Sequence, residues 1–178
     1  MSILPVVVSD FISFIKSPSY QKSETPFWKL YLLDPLSTFL IAALIIYPLE
    51  ILTDVFESSE NILEEAIEII PFWLMIILVT IIIPLIEEII FRSWLNRRLV
   101  SQKYLKFALI FSSVVFGLVH LTNYEEFEYA NIILIIPQTT SGFILGYIRI
   151  VKGLRYSWLT HGLTNGLIYL TALIFPNL

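Results

Sequence analysis

The sequence predicts an all-α protein, a polytopic transmembrane helical bundle of about five spans with short interfacial helices. Three observations predict it. Of 178 residues, 57% are apolar and only 15% charged, giving a mean hydropathy of +0.80. A soluble domain this poor in charge would expose large apolar patches, whereas a membrane protein has lipid as the solvent of its outer face. The apolar residues fall into five runs, each near the length a helix needs to cross the hydrocarbon core. All the basic residues fall on one side of those runs.

Taken in order, residues 1–34 read as an N-terminal cytoplasmic or interfacial segment. Residues 3–15 are mostly apolar, but Pro5 and Asp10 interrupt them, and neither a basic flank nor a small-residue cleavage site frames them. That favours a segment lying in the membrane interface over a signal peptide. Residues 35–178 read as one membrane domain without internal repeats, its spans at about 35–52, 71–91, 106–122, 130–148 and 156–175. Pro35, Pro48, Pro71, Pro84 and Pro137 fall at or inside these spans, where neighbouring helices can take up the freed backbone groups. Between the first two spans, residues 53–70 carry Ile62, Leu63, Ala66, Ile67 and Ile70 at helical spacing. Either an amphipathic surface helix or a solvated connector fits that pattern.

The charges supply a check that is independent of the apolar runs. Lys16, Lys22 and Lys29 precede the first span; Arg92, Arg97, Arg98, Lys103 and Lys106 separate the second from the third; Arg149, Lys152 and Arg155 separate the fourth from the fifth. These are all 11 basic residues of the chain. The opposite loops carry Asp54, Glu57, Glu60, Glu64, Glu65 and Glu68, and then Glu125, Glu126 and Glu128. By the positive-inside rule the N-terminus is cytoplasmic and the C-terminus outside, as expected for a multi-pass protein of the cell membrane. Trp28, Trp94 and Trp158 fall on the basic side and Trp73 on the other, where interfacial anchors belong. With no cysteine, disulfides, thiolate zinc sites and a cysteine nucleophile are excluded. The net charge of −4 gives no reason to expect a nucleic-acid partner; the expected surroundings are the lipid bilayer.

Ionisable residues inside spans are the informative ones, because a charge at the bilayer centre costs about 2.5–3.5 kcal/mol on insertion scales. The second span ends PLIEEIIFRSW. Glu88 and Arg92 are i,i+4 in the favourable acid-first order for an ion pair. Glu87, about 100° round the helix, is freer to face a cavity as a general base. Both histidines of the chain lie in spans: His120 follows Phe116 by one turn, and His161 precedes Asn165 by one turn. Two imidazoles, a carboxylate and an amide can activate water and stabilise an oxyanion. Equally, Glu87, His120 and His161 can ligate a divalent metal such as zinc. With Arg97, Lys106 and Arg155 at the inner edge of the hydrocarbon, the helical rise puts Glu87 and Asn165 about 15 Å deep, His161 about 9 Å and His120 about 21 Å. Ordinary tilts absorb that spread.

The ordered motifs Glu87-Glu88-x-x-x-Arg92, Phe116-x-x-x-His120 and His161-x-x-x-Asn165 resemble those of the CPBP (Abi) family of intramembrane proteases, the CAAX proteases and bacteriocin-processing enzymes. That family includes the type II CAAX prenyl endopeptidases and the lysostaphin-resistance proteins. The resemblance covers about residues 70–175. It implies hydrolysis of a peptide bond in or near the membrane, with a peptide or membrane-associated protein as substrate, in some members prenylated. By the same resemblance Glu87 activates water assisted by His120, His161 and Asn165 stabilise the oxyanion, and Glu88 with Arg92 holds the helix. Glutamate and metal mechanisms both remain open to this residue set.

Other readings fit less well. The zinc signature HExxH is absent. An aspartyl site needs paired intramembrane aspartates, but Asp34 and Asp54 fall at the ends of the first span. A Ser141–His161 dyad would leave the carboxylates without a role. A non-catalytic bacteriocin-immunity or membrane scaffold protein of the same fold is the alternative from another class. A small transporter is disfavoured by the lack of repeated, interrupted halves.

Overall fold

The structure is a computed structural model and describes residues 3–46, 48, 69–123 and 131–174. Every regular element among them is helical. In chain order they are α1 (Ile3–Lys16), α2 (Phe27–Tyr31), α3 (Leu33–Ile41), α4 (Phe72–Ile77), α5 (Ile83–Phe91), α6 (Leu105–Val119), α7 (Asn131–Leu134), α8 (Ile136–Val151) and α9 (Leu154–Ile174). A π turn, Ala42–Ile46, continues α3, and a second, Leu78–Ile82, joins α4 to α5. The acidic residues Asp54–Glu68 and Glu125–Glu128, and most of the surface helix considered over 53–70, lie outside the described residues.

Three helical stretches are long and apolar enough to cross a membrane: Phe27–Ile45, Phe72–Phe91 and Gln102–Asn123. They correspond to the first three predicted spans. The first begins at Phe27 rather than at residue 35, which brings Asp34 inside it. The remaining two predicted spans are helical but do not meet that standard, so a count of five is not established by length and composition. Helix α8 is 16 residues long, short for a crossing. Helix α9 has 21 residues but spends much of its length on Ser157, Thr160, His161, Thr164 and Asn165, which lower its hydropathy. Outward faces of α4, α5 and α6 expose Phe72, Trp73, Ile86, Ile89, Ile90, Phe107 and Phe111, the surface expected where lipid is the solvent.

Helix α8 is the central element, packed most extensively on α6 and also on α3 and α9. Small residues let the backbones approach, the usual route to tight helix packing in membranes. A Cβ on Gly142 of α8 would come within 2.9 Å of the Ser113 Cα of α6. Where α9 crosses the π turn, Gly162 lies against the carbonyl of Thr80, and any side chain there would collide with it. The π turn has an identifiable cause. Pro84 at the start of α5 lacks an N–H, so a carbonyl one turn back goes unbonded and the helix widens. Beside it, the Trp158 indole N–H of α9 donates to the Ile81 carbonyl at 3.0 Å. Gly153, at φ 109°, turns the chain from α8 into α9 in the left-handed conformation that glycine adopts without strain.

Candidate active site

Helix α5 carries the acidic pair, and its C-terminal end is held from two sides. The Arg149 guanidinium of α8 donates to the carbonyls of Arg92 and Ser93 at 3.0 and 2.9 Å. The Ser112 hydroxyl of α6 donates to the Phe91 carbonyl at 2.6 Å. These bonds satisfy carbonyls a helix end leaves open and set a cation at the negative end of its dipole. Glu87, Glu88 and Arg92 are thereby fixed relative to α6, α8 and α9.

Glu88 is fully buried and is the hub of the cluster. Its Oε1 lies 3.3 Å from Arg92 Nη1 and 3.2 Å from His161 Nδ1. The other oxygen, Oε2, accepts from the Ser157 hydroxyl, which also lies 3.0 Å from the Leu145 carbonyl. Arg92, equally buried, lays its guanidinium over the ring of Phe116 at 3.6 Å, so a charge with no water finds a carboxylate on one side and a π face on the other.

His161 stands between the two glutamates. Its Nδ1 faces Glu88 Oε1 and its Nε2 faces Glu87 Oε2, both at 3.2 Å. An ionised carboxylate only accepts, so Nδ1 carries the proton toward Glu88 and the ring orientation is locked. The Nε2–Glu87 approach is an ion-pair distance rather than an aligned hydrogen bond, since Glu87 Oε2 completes no hydrogen bond among the described residues. The Glu87 side chain is 22% exposed, against 0% for Glu88. Of the two acids, Glu87 is therefore the one an outside molecule can reach.

His120 ends α6 at the start of a short 3₁₀ turn, His120–Asn123. Its Nδ1 lies 2.7 Å from the Phe116 carbonyl; because a carbonyl only accepts, Nδ1 is the protonated nitrogen and Nε2 presents its lone pair. The Phe116 ring meets both histidines edge-on, with centroids 4.6 Å from His120 and 5.6 Å from His161. His120 faces Glu87 and His161 across the site without a direct contact to either. Asn165 lies half-buried one turn beyond His161 on α9. The structure thus joins Glu87, Glu88, Arg92 and His161 by direct contact, brings Phe116 and His120 against them, and leaves Asn165 at the margin.

Two polar residues at the site were not among the sequence's candidates: Ser157 went unread, and Asp34 was placed at the end of the first span. Ser157 sits one turn before His161, so Ser157, His161 and Asn165 form one i,i+4,i+8 row on α9; that spacing was the available signal. Asp34 is 1% exposed and not at a span end. Its carboxylate stands beside the hydroxyls of Ser141 and Thr164 and faces His161 and Arg92. Neither carboxylate oxygen completes a hydrogen bond among the described residues, and the same holds for the Thr164 hydroxyl. The Ser141–His161 dyad finds no support: the Ser141 hydroxyl pairs at 3.5 Å with Thr38, and both nitrogens of His161 face glutamates.

Among the described residues, no three His, Asp or Glu side chains are arranged to hold a metal ion. Glu87, His120 and His161 carry donor atoms of the kind a divalent metal takes, and His161 Nε2 faces Glu87 Oε2 at 3.2 Å with Nδ1 on Glu88, but His120 is not gathered with them into one ligand set.

A helical membrane protein with a buried cluster of two carboxylates, an imidazole and a guanidinium is defined as a class by those features. The particular family follows from comparison. Residues 69–167 match the model of the Rce1-like family, described as type II CAAX prenyl endopeptidase Rce1-like, and the chain belongs to that family of membrane proteases. No curated protein and no solved structure matches the chain. The match includes Glu87, Glu88, Arg92, Phe116, His120, His161 and Asn165, and it leaves out Asp34.

Proposed function

We propose that the chain is an intramembrane endopeptidase of the CAAX prenyl protease type, hydrolysing a peptide bond with water activated by Glu87. The observation that carries this reading is His161 held between Glu87 and Glu88 at 3.2 Å on either side. One acid is buried and orients the imidazole; the other is reachable and free to take a proton. A carboxylate–imidazole pair oriented by a second carboxylate is the arrangement general-base chemistry requires.

In the proposed reaction, Glu87 takes a proton from water as the water oxygen attacks the scissile carbonyl carbon. His120 Nε2, whose lone pair faces the site, accepts a hydrogen bond from the same water and aligns it. The developing oxyanion accepts hydrogen bonds from the Asn165 amide and from the Nε2–H of His161 in its doubly protonated form, whose Nδ1–H stays on Glu88. Collapse breaks the C–N bond, and the proton held by Glu87 passes to the leaving amine. Glu88, Arg92, Ser157 and Phe116 position these groups without touching substrate. Asp34, Thr164 and Ser141 close the far wall of the site. The substrate is a peptide or a membrane-associated protein, with prenylated C-terminal segments the first class to assay. The chain lies in the cell membrane with five passes, N-terminus cytoplasmic and C-terminus outside. Residues 1–34 form an interfacial segment ahead of a membrane domain at 35–178.

Purified protein incubated with a panel of prenylated and unprenylated peptides tests this reading. Cleavage between two identified residues, retained after chelation in a sample free of stoichiometric metal, is the expected result. Loss of cleavage on chelation, restored by added zinc, would replace the glutamate mechanism with a metal one. No cleavage of any peptide would remove the catalytic reading.

A further inference from the structure

At the basic end of the bundle, well away from Glu87, residues 17–26 are tied across the loops that precede α6 and α9. The Tyr20 hydroxyl donates to the Val100 carbonyl at 2.7 Å, and Gln102 donates to Pro18 at 2.6 Å. Arg97 donates to the Tyr20 carbonyl at 3.1 Å, and Lys152 to that of Ser23. Beneath this strap is a cavity of about 540 Å³ whose lining includes Lys22, Arg97, Arg149 and Lys152 and no acidic residue. Among the described residues, none of these four cations is paired with a carboxylate: every ion pair there is made by Glu87 or Glu88. Arg97, Arg149 and Lys152 donate only to backbone carbonyls, which carry no net charge, although Arg149 also feels the α5 C-terminus and Glu88 behind it. Four cations gathered round one cavity repel each other and favour an anion.

The neighbouring feature says what kind of anion. The Arg92–Ser101 loop that walls this cavity also walls an apolar groove of about 410 Å³, lined by Trp94, Leu99, Val100, Tyr104, Phe107 and Phe111. The Tyr20–Val100 hydrogen bond joins the two linings. Leu99, in the loop before α6, and Phe107, on α6, are 69% and 71% exposed, as apolar side chains are where lipid is the solvent. A polycationic cavity at the polar rim beside an apolar groove on the lipid flank matches an amphiphile with an anionic head and a hydrocarbon tail.

We propose that this cavity and groove form one binding site for an anionic phospholipid, with the phosphodiester headgroup among Lys22, Arg97, Arg149 and Lys152 and an acyl chain along Leu99, Tyr104 and Phe107. The lipid would cement the strap to the loop between α5 and α6, the segment that carries Arg92. Four charges suit a phosphate-bearing headgroup better than the single carboxylate of a peptide, and neither lining includes Glu87, His120 or His161.

The test is native mass spectrometry of the full chain released from nanodiscs holding equal phosphatidylglycerol and phosphatidylcholine. Retention of about one phosphatidylglycerol in preference to phosphatidylcholine is expected. The Lys22→Gln/Arg97→Gln double variant should lose that lipid by about fivefold for each charge removed. Arg98→Gln, an equal charge change outside the cavity, should retain it, and Lys22→Gln alone serves should the double variant fail to fold. Equal retention of both lipids, or retention unchanged by Lys22→Gln, overturns the proposal. So does displacement of the lipid by inorganic phosphate alone, which makes this a simple anion site, or by a prenylated peptide one for one, which makes it a substrate site.

Discussion

At the scale of single residues, the cluster is held by partners that water cannot replace. Arg92 has a buried carboxylate and an aromatic face as its surroundings, so Arg92→Ala strands the Glu88 charge and should destabilise the protein by about 3–5 kcal/mol. Arg92→Lys should recover little of it, because an ammonium lacks the planar face that lies on Phe116. Thermal unfolding in detergent measures both, and a stable Arg92→Lys protein would contradict the stacking argument. Ser157→Ala leaves Glu88 Oε2 without its hydroxyl donor, at a cost of about 1–3 kcal/mol; calorimetry of that variant checks it. The sequence made the Glu88–Arg92 pair legible, because its members are one helical turn apart and need no knowledge of the fold. Contacts between helices were not legible in that way. That His161 bridges both glutamates depends on where α9 crosses α5, and no spacing within either motif encodes it. Asp34 escaped because the first span was started one residue after it, which left a buried carboxylate looking interfacial.

At the scale of helices, the site depends on how closely α9 can approach the chain between α4 and α5. Gly162 touches the Thr80 carbonyl, so even Gly162→Ala forces α9 outward and should cost about 1–3 kcal/mol, carrying His161 with it. The same unfolding measurement applies, and a variant as stable as the parent would show that the helices are not in contact there. Pro84 signalled a disturbance in the second span, and the sequence reading left open how it would be relieved. The helix widens into a π turn just before the proline, and there α9 packs Gly162 on the Thr80 carbonyl and donates from Trp158 to the Ile81 carbonyl. The glycines that meet a neighbour's backbone, Gly142 against Ser113 and Gly162 against Thr80, were not read from the sequence, because spacing alone does not say which helix they face.

At the scale of the whole molecule, composition alone reached the all-helical membrane class, because lipid exposure needs apolar residues on every outward face. The number of crossings was harder to read, since α9 trades hydropathy for the polar row that ends in Asn165. The chain has no cysteine, so single cysteines can report topology without background. Lys103→Cys and Glu126→Cys should react with an impermeant maleimide from opposite sides of the membrane, the first only from the cytoplasm. Labelling of both from one side would contradict the five-pass, N-inside arrangement.

Whether Glu87 activates the water is decided by the single-turnover cleavage rate of Glu87→Gln against the parent and Glu87→Asp, each shown to be folded. Glu87→Gln keeps the shape and removes the base, so its rate should fall by about 10²–10⁴-fold with substrate affinity retained. Glu87→Asp should keep a measurable fraction. A Glu87→Gln protein that cleaves at the parental rate would show that Glu87 does not activate the water, and the account of this site as a glutamate-based peptidase centre would be wrong.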